Sequence, residues 1–147
     1  MISAWSYGDV IVTSPDGKHV AKVIGLQEIA MGAPTSGKLM VDSTFVAGNF
    51  GPSCVWSECS NLLAIPIWIR KKVPYIAGAT HPEMVTQTST HIAIYDTVSK
   101  DLKISPVKFG VLELSTFENG TLSALINPLQ NELCSDLNIE TDLGIVL

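Results

Sequence analysis

Apolar and polar residues alternate with a period of two over most of the chain, and the i, i+3, i+4, i+7 spacing of an amphipathic helix persists over no long window. The pattern predicts a β protein. Asp9–Thr13 runs into Ser14-Pro15-Asp16-Gly17, where Pro presets φ for a turn and Gly supplies φ > 0, and a strand resumes over Lys18–Ile24. Ser53–Ser57 enters the polar stretch Glu58-Cys59-Ser60-Asn61 and leaves through Leu62 to Ile69, so the first hairpin recurs 43 residues on, from Ser14 to Ser57. Val111–Phe117 meets Glu118-Asn119-Gly120 and returns as Thr121–Ile126, with Asn-Gly a strong hairpin signal.

The later parts of the first two units also correspond. Leu26–Met31, a turn over Gly32–Gly37 and a short strand Lys38–Val41 match His91–Thr97, the turn Val98–Asp101 and Leu102–Ser105, once 70–90 is treated as an insertion. A four-stranded unit repeating every forty-odd residues is the signature of a propeller blade. Ser14-Pro15-Asp16-Gly17-Lys18-His19-Val20-Ala21 resembles the start of blades in WD-repeat and TolB-like propellers. Val55-Trp56-Ser57-Glu58-Cys59-Ser60-Asn61-Leu62-Leu63-Ala64 resembles their W-S-x-D/N-x-x-x-L-A stretch. The resemblance covers about 10–105. It departs from those families in lacking a Gly-His…Trp-Asp pair, although Tyr95-Asp96-Thr97 stands where that dipeptide would lie, and the third unit has no second hairpin.

Closed propellers use about four to eight blades, more than this chain supplies. The resemblance therefore implies one all-β domain of compact antiparallel sheets, built from blade-like units at about 10–41, 53–105 and 111–147 and not closed into a ring. The segment 132–147 is expected to cover an open sheet edge. Self-association is the other way to cover one.

With 147 residues, 46% of them hydrophobic and 16% charged, the chain has the apolar surface for one ordinary core, which excludes disorder. A net charge of −5 argues against a nucleic-acid partner and favours a basic protein partner. Residues 1–9 lack the basic and apolar regions of a signal peptide, and the longest apolar run, Leu62–Ile69, falls far short of the roughly 18 residues of a membrane helix. The expected setting is a cytoplasm, with no membrane contact. Three cysteines are an odd count without ligand spacing, so neither a disulfide framework nor a metal is expected, and no cofactor motif is present.

No G-x-S-x-G elbow, phosphate loop or H-E-x-x-H string occurs, and the chain reads as a non-enzyme. A small hydrolase using His81 or His91 with an acidic residue is the last of the readings. His19 is expected in solvent after its turn, and His91 at the start of a strand. Cys54, Trp56 and Trp68 are expected in the core. Trp5 and Tyr7 are expected at a contact surface. The insertion 70–90 is expected to be an exposed loop with one cationic cluster, Arg70-Lys71-Lys72. Partner contacts are assigned to Arg70, Lys72, Tyr75, His81 and Met84 in that loop, and to Glu132, Asp136 and Asp142 in the acidic carboxyl-terminal segment. In general type the chain resembles small bacterial immunity proteins that bind and block a secreted toxin, often a basic nuclease. The alternative is an intracellular protein-interaction module related to propeller blades.

Overall fold

A computed structural model describes residues 1–75, 83–127 and 134–147, and among them there is no helix. The strands are β1 (Val10–Thr13), β2 (Val20–Glu28), β3 (Thr35–Val41), β4 (Thr44–Phe50), β5 (Val55–Trp56), β6 (Leu62–Tyr75), β7 (Glu83–Asp96), β8 (Leu102–Ile104), β9 (Leu112–Glu118), β10 (Thr121–Ile126) and β11 (Cys134–Asn138). One sheet runs β1-β2-β3-β4-β6-β7-β8 with β5 paired to β6, and a second runs β11-β10-β9; neither closes on itself. Every strand pairing within them is antiparallel. β11 covers one edge of β10, as expected of the carboxyl-terminal segment.

The two hairpins singled out by their turn residues repeat residue by residue. Val12 pairs with Ala21 and Thr13 with Val20 in the first; Val55 pairs with Ala64 and Trp56 with Leu63 in the second. Ser14 N donates to His19 O at 2.8 Å and Ser57 N to Leu62 O at 2.8 Å. In return His19 N donates to Ser14 Oγ at 3.1 Å, and Leu62 N to Ser57 Oγ at 3.2 Å. Gly17 and Ser60 occupy the same left-handed position, with φ of 73° and 64°. The two turns also touch, because Asp16 N donates to Ser60 Oγ at 3.0 Å. At the third hairpin Asn119 and Gly120 both have positive φ, the requirement of a tight two-residue turn.

Two expectations need correction. Leu26–Met31 is not a separate strand: β2 continues through a bulge at Gly25 (φ 65°) to Glu28, and β3 begins at Thr35. The turn that follows is Asp42-Ser43, left-handed without a glycine, and it opens β4. Nor is 70–90 a loop. Its described parts continue β6 and β7, which pair without a break from Leu62 with Asp96 to Tyr75 with Glu83.

β6 and β7 are the middle layer. Leu63, Ile65, Ile67, Ala93 and Tyr95 point into a core shared with Val23, Leu39, Phe50 and Trp56. The alternate residues Ala64, Ile92 and Ile94 point into a second core with Leu114, Leu122 and Leu143. Burial on both faces is the reason Leu62–Ile69 reads as an unbroken apolar run. Pro66 interrupts it where β6 changes partner. β5 pairs up to Ala64, β4 begins at Ile67, and between them Gly51 N donates to Pro66 O at 2.8 Å, so the missing proline N–H leaves no ladder bond unmade.

Candidate functional site

β4 leaves the ladder at Trp68, and β8 pairs only with Ala93–Tyr95 of β7. A bridge from Phe109 to Thr90 is the last backbone pairing on that side among the described residues. Beyond it, 69–75 and 83–89 pair only with each other among the described residues, forming a two-stranded arm roughly 20 Å long. Its sequence suits a strand exposed on both faces: Val85-Thr86-Gln87-Thr88 is β-branched and polar, and lysines are common on open edges because they resist unwanted pairing. Directly paired residues share a face. Arg70, Lys72 and Pro74 therefore lie with Thr88, Thr86 and Met84, and Ile69, Lys71 and Val73 lie with Ser89, Gln87 and Val85. Arg70, Lys71 and Lys72 are exposed, and Met84 is 58% exposed.

The second of these faces opens at its root into a shallow hollow lined by Ile69, Lys71, Gln87, Ser89, His91 and Lys108. His91 is buried inside β7, not at its start. Its Nδ1 lies 2.9 Å from Ser105 O, and its Nε2 lies 2.8 Å from Ser89 Oγ. A carbonyl can only accept, so Nδ1 carries the proton; in the neutral ring Nε2 is then the acceptor, and the Ser89 hydroxyl donates to it. The carbonyl is itself fixed, since Ser105 N donates to Ile92 O at 2.9 Å and Ser105 Oγ to Leu143 O at 2.6 Å. Thr90 Oγ1 donates to Gly110 O at 2.7 Å and Phe109 N to Thr90 O at 2.8 Å, which holds Lys108 beside the arm.

Another histidine cluster lies elsewhere on the large sheet. His19, expected in solvent, stacks on Trp56 with ring centres 5.9 Å apart, and its Nδ1 pairs with Asp42 Oδ2 at 2.5 Å. Burial opposes the charged form of Asp42, yet the bonds from His19 and Val20 N outweigh it and hold the carboxyl below its ordinary range. Trp56, in the core as expected, donates Nε1 to Val12 O at 2.9 Å. This cluster ties the first repeated turn to the second.

The contact residues assigned from sequence fall in two places. Arg70, Lys72 and Met84 are on the arm, together with the strand position of Tyr75; His81 and Glu132 lie outside the described residues. Asp136, on β11, accepts from Ser123 Oγ at 2.6 Å, and Asp142 accepts from Asn138 N at 2.7 Å, closing the turn after β11. Arg70 and Lys72 are thus on β6 of the large sheet, whereas Asp136 is on β11 of the small one and Asp142 is in the turn that follows it. Trp5 is half-buried, with Nε1 donating to Gly32 O at 3.2 Å, and Tyr7 is exposed, with its hydroxyl donating to Glu28. Burial pushes the Cys54 thiol up to about 12, so it is an inert core residue, and Trp68 is half-buried. Among the described residues no group of three or more His, Cys, Asp or Glu could hold a metal ion. Sequence reading missed Ser89 and Lys108. The one available signal was Ser-x-His in a β-branched run, since strand geometry puts i and i+2 on one face. No family model, curated protein or solved structure matches this chain.

Proposed function

We propose that the protein works by binding another protein through the β6–β7 arm, as an immunity protein that neutralises a bacterial toxin by direct contact in the cytoplasm. The observation that carries the reading is the arm itself: seven cross-strand pairs from Ile69 with Ser89 to Tyr75 with Glu83, beyond the reach of any third strand among the described residues. Its outer edges offer unpaired backbone groups to an added strand, and Met84 and Val85 offer apolar contact. The charges support recognition of both signs. Arg70, Lys71 and Lys72 suit carboxylates on the partner, while a chain of net charge −5 that also carries these cations has an acidic body able to steer a basic partner inward.

The test is co-expression with the toxin encoded beside it, scored by growth and by co-purification. Protection that is lost in Arg70→Glu/Lys72→Glu supports the reading, and neither protection nor binding with the unaltered protein overturns it. The same arm would serve the alternative, an interaction module for a resident protein. That case is distinguished by stable capture of a housekeeping partner without neutralisation of any toxin.

A further inference from the structure

We propose that Ser89 and His91 form a nucleophile–base pair that cleaves a small ester bearing a negative charge, in the hollow at the root of the arm. This goes beyond the binding reading and does not depend on it. Three observations converge. The bond geometry leaves Nε2 of a neutral His91 as the acceptor for the Ser89 hydroxyl, the arrangement a general base needs. His91 is 6% exposed, and its imidazole bonds to a carbonyl locked in the fold, whereas Ser89 is half-buried and lines the hollow. Lys71 and Lys108 line the same hollow, and no carboxylate lines it among the described residues. The His19–Asp42 pair lacks this arrangement, because its partner is a carboxylate that is not a nucleophile poised on a base.

In the first half-reaction Ser89 Oγ adds to the ester carbonyl carbon while its proton passes to His91 Nε2. The tetrahedral adduct collapses, and the alcohol leaves with that proton, giving an acyl-Ser89. Water then surrenders a proton to Nε2 and adds to the acyl carbon, and Ser89 Oγ departs, recovering the proton. The sum is ester plus water giving acid plus alcohol. The Lys71 and Lys108 ammonium groups hold the substrate's own carboxylate and supply positive charge near the developing oxyanion. The Ser105 carbonyl fixes the tautomer but stabilises the imidazolium less than a buried carboxylate does, so turnover is slow.

The direct test is a fluorophosphonate probe, read by intact mass and peptide mapping. The expected result is one adduct on Ser89, absent in Ser89→Ala, with labelling slowed about 100-fold in His91→Gln. Should His91→Gln fail to fold, Ser89→Ala alone decides, since it removes one partly exposed hydroxyl. The anion preference is tested with the mono-p-nitrophenyl ester of succinic acid against p-nitrophenyl acetate. Lys71→Ala/Lys108→Ala should lower kcat/KM for the charged ester about ten-fold more than for the acetate. An unlabelled wild type, or equal labelling of Ser89→Ala, overturns the site; equal loss on both esters overturns the substrate class.

Discussion

The β2–β3 and β6–β7 hairpins start from equivalent turns and end differently. In the first, Ala21 pairs with Val41, twenty residues on; in the second, the equivalent Ala64 pairs with Ile94, thirty residues on. The tip of the shorter hairpin is clasped by the amino-terminal segment: Thr35 N donates to Ala4 O at 3.0 Å, and Thr35 Oγ1 to Ser6 O at 2.5 Å. Ala4 N in turn donates to Glu113 Oε2 at 2.7 Å on β9, so that end of the sheet is tied to the third layer. The extra length of the other hairpin has no clasp among the described residues and carries Arg70, Lys71 and Lys72. Ten residues thus extend one hairpin into an outer half that pairs with no third strand among the described residues.

That division predicts unequal costs along one strand. Leu63→Ala, in the inner half, removes a side chain with no exposed surface and should cost about 3 kcal/mol or more, read as a lower urea midpoint at unchanged slope. Val73→Ala, in the outer half, should cost under about 1 kcal/mol. Comparable costs would mean the arm is packed against the body. Next in size is the clasp. Thr35→Val leaves its volume nearly intact but strands the Ser6 carbonyl, and should destabilise by about 1–2 kcal/mol, with faster amide exchange at Ile29 and Ala33 and no change in the arm. Smaller still, Arg70→Glu/Lys72→Glu should leave stability within about 0.5 kcal/mol while weakening partner affinity about ten-fold through faster dissociation. A large loss of stability from this pair would assign the cations to the fold instead of to contact.

The two halves of the comparison were unequally visible in the sequence. Ser-Pro-Asp-Gly, Asn-Gly and the 43-residue recurrence located the turns because Pro, Gly and Asn restrict φ by known steric rules. Asp42-Ser43 makes an equally tight turn without glycine, so the sequence carries no turn signal for β4 behind it. The sequence of the arm reads as a loop because strands exposed on both faces have no apolar alternation to display; only the run of Val85, Thr86, Thr88 and Thr90 favours β. Arg70, Lys72 and Met84 were legible as surface chemistry. The Ser89–His91–Ser105 chain was not, since it depends on a carbonyl fourteen residues away being locked beside β7.

The finest difference between the repeated units is in their turns and should appear as a pH effect. Asp16 accepts from Lys18 N at 2.9 Å and from Ser14 Oγ at 2.7 Å, and these bonds hold its carboxyl below the ordinary range. The matching place in the second turn is Cys59, whose Sγ lies 3.1 Å from Ser57 Oγ. A carboxyl whose folded pKa is lowered contributes stability above its unfolded value, near 4, and loses that contribution as pH falls through the folded value. Asp16→Asn should therefore flatten the acid limb of the stability profile between about pH 5 and pH 2. Cys59→Asp, at an exposed position, should steepen it by giving the second turn the carboxylate of the first. Asp42 titrates in the same range but is common to all three proteins, so it cancels in the differences. If the limb is unchanged in Asp16→Asn and in Cys59→Asp, the two turns are alike in shape only, and the hydrogen bonds at Asp16 carry no net preference for the folded carboxylate.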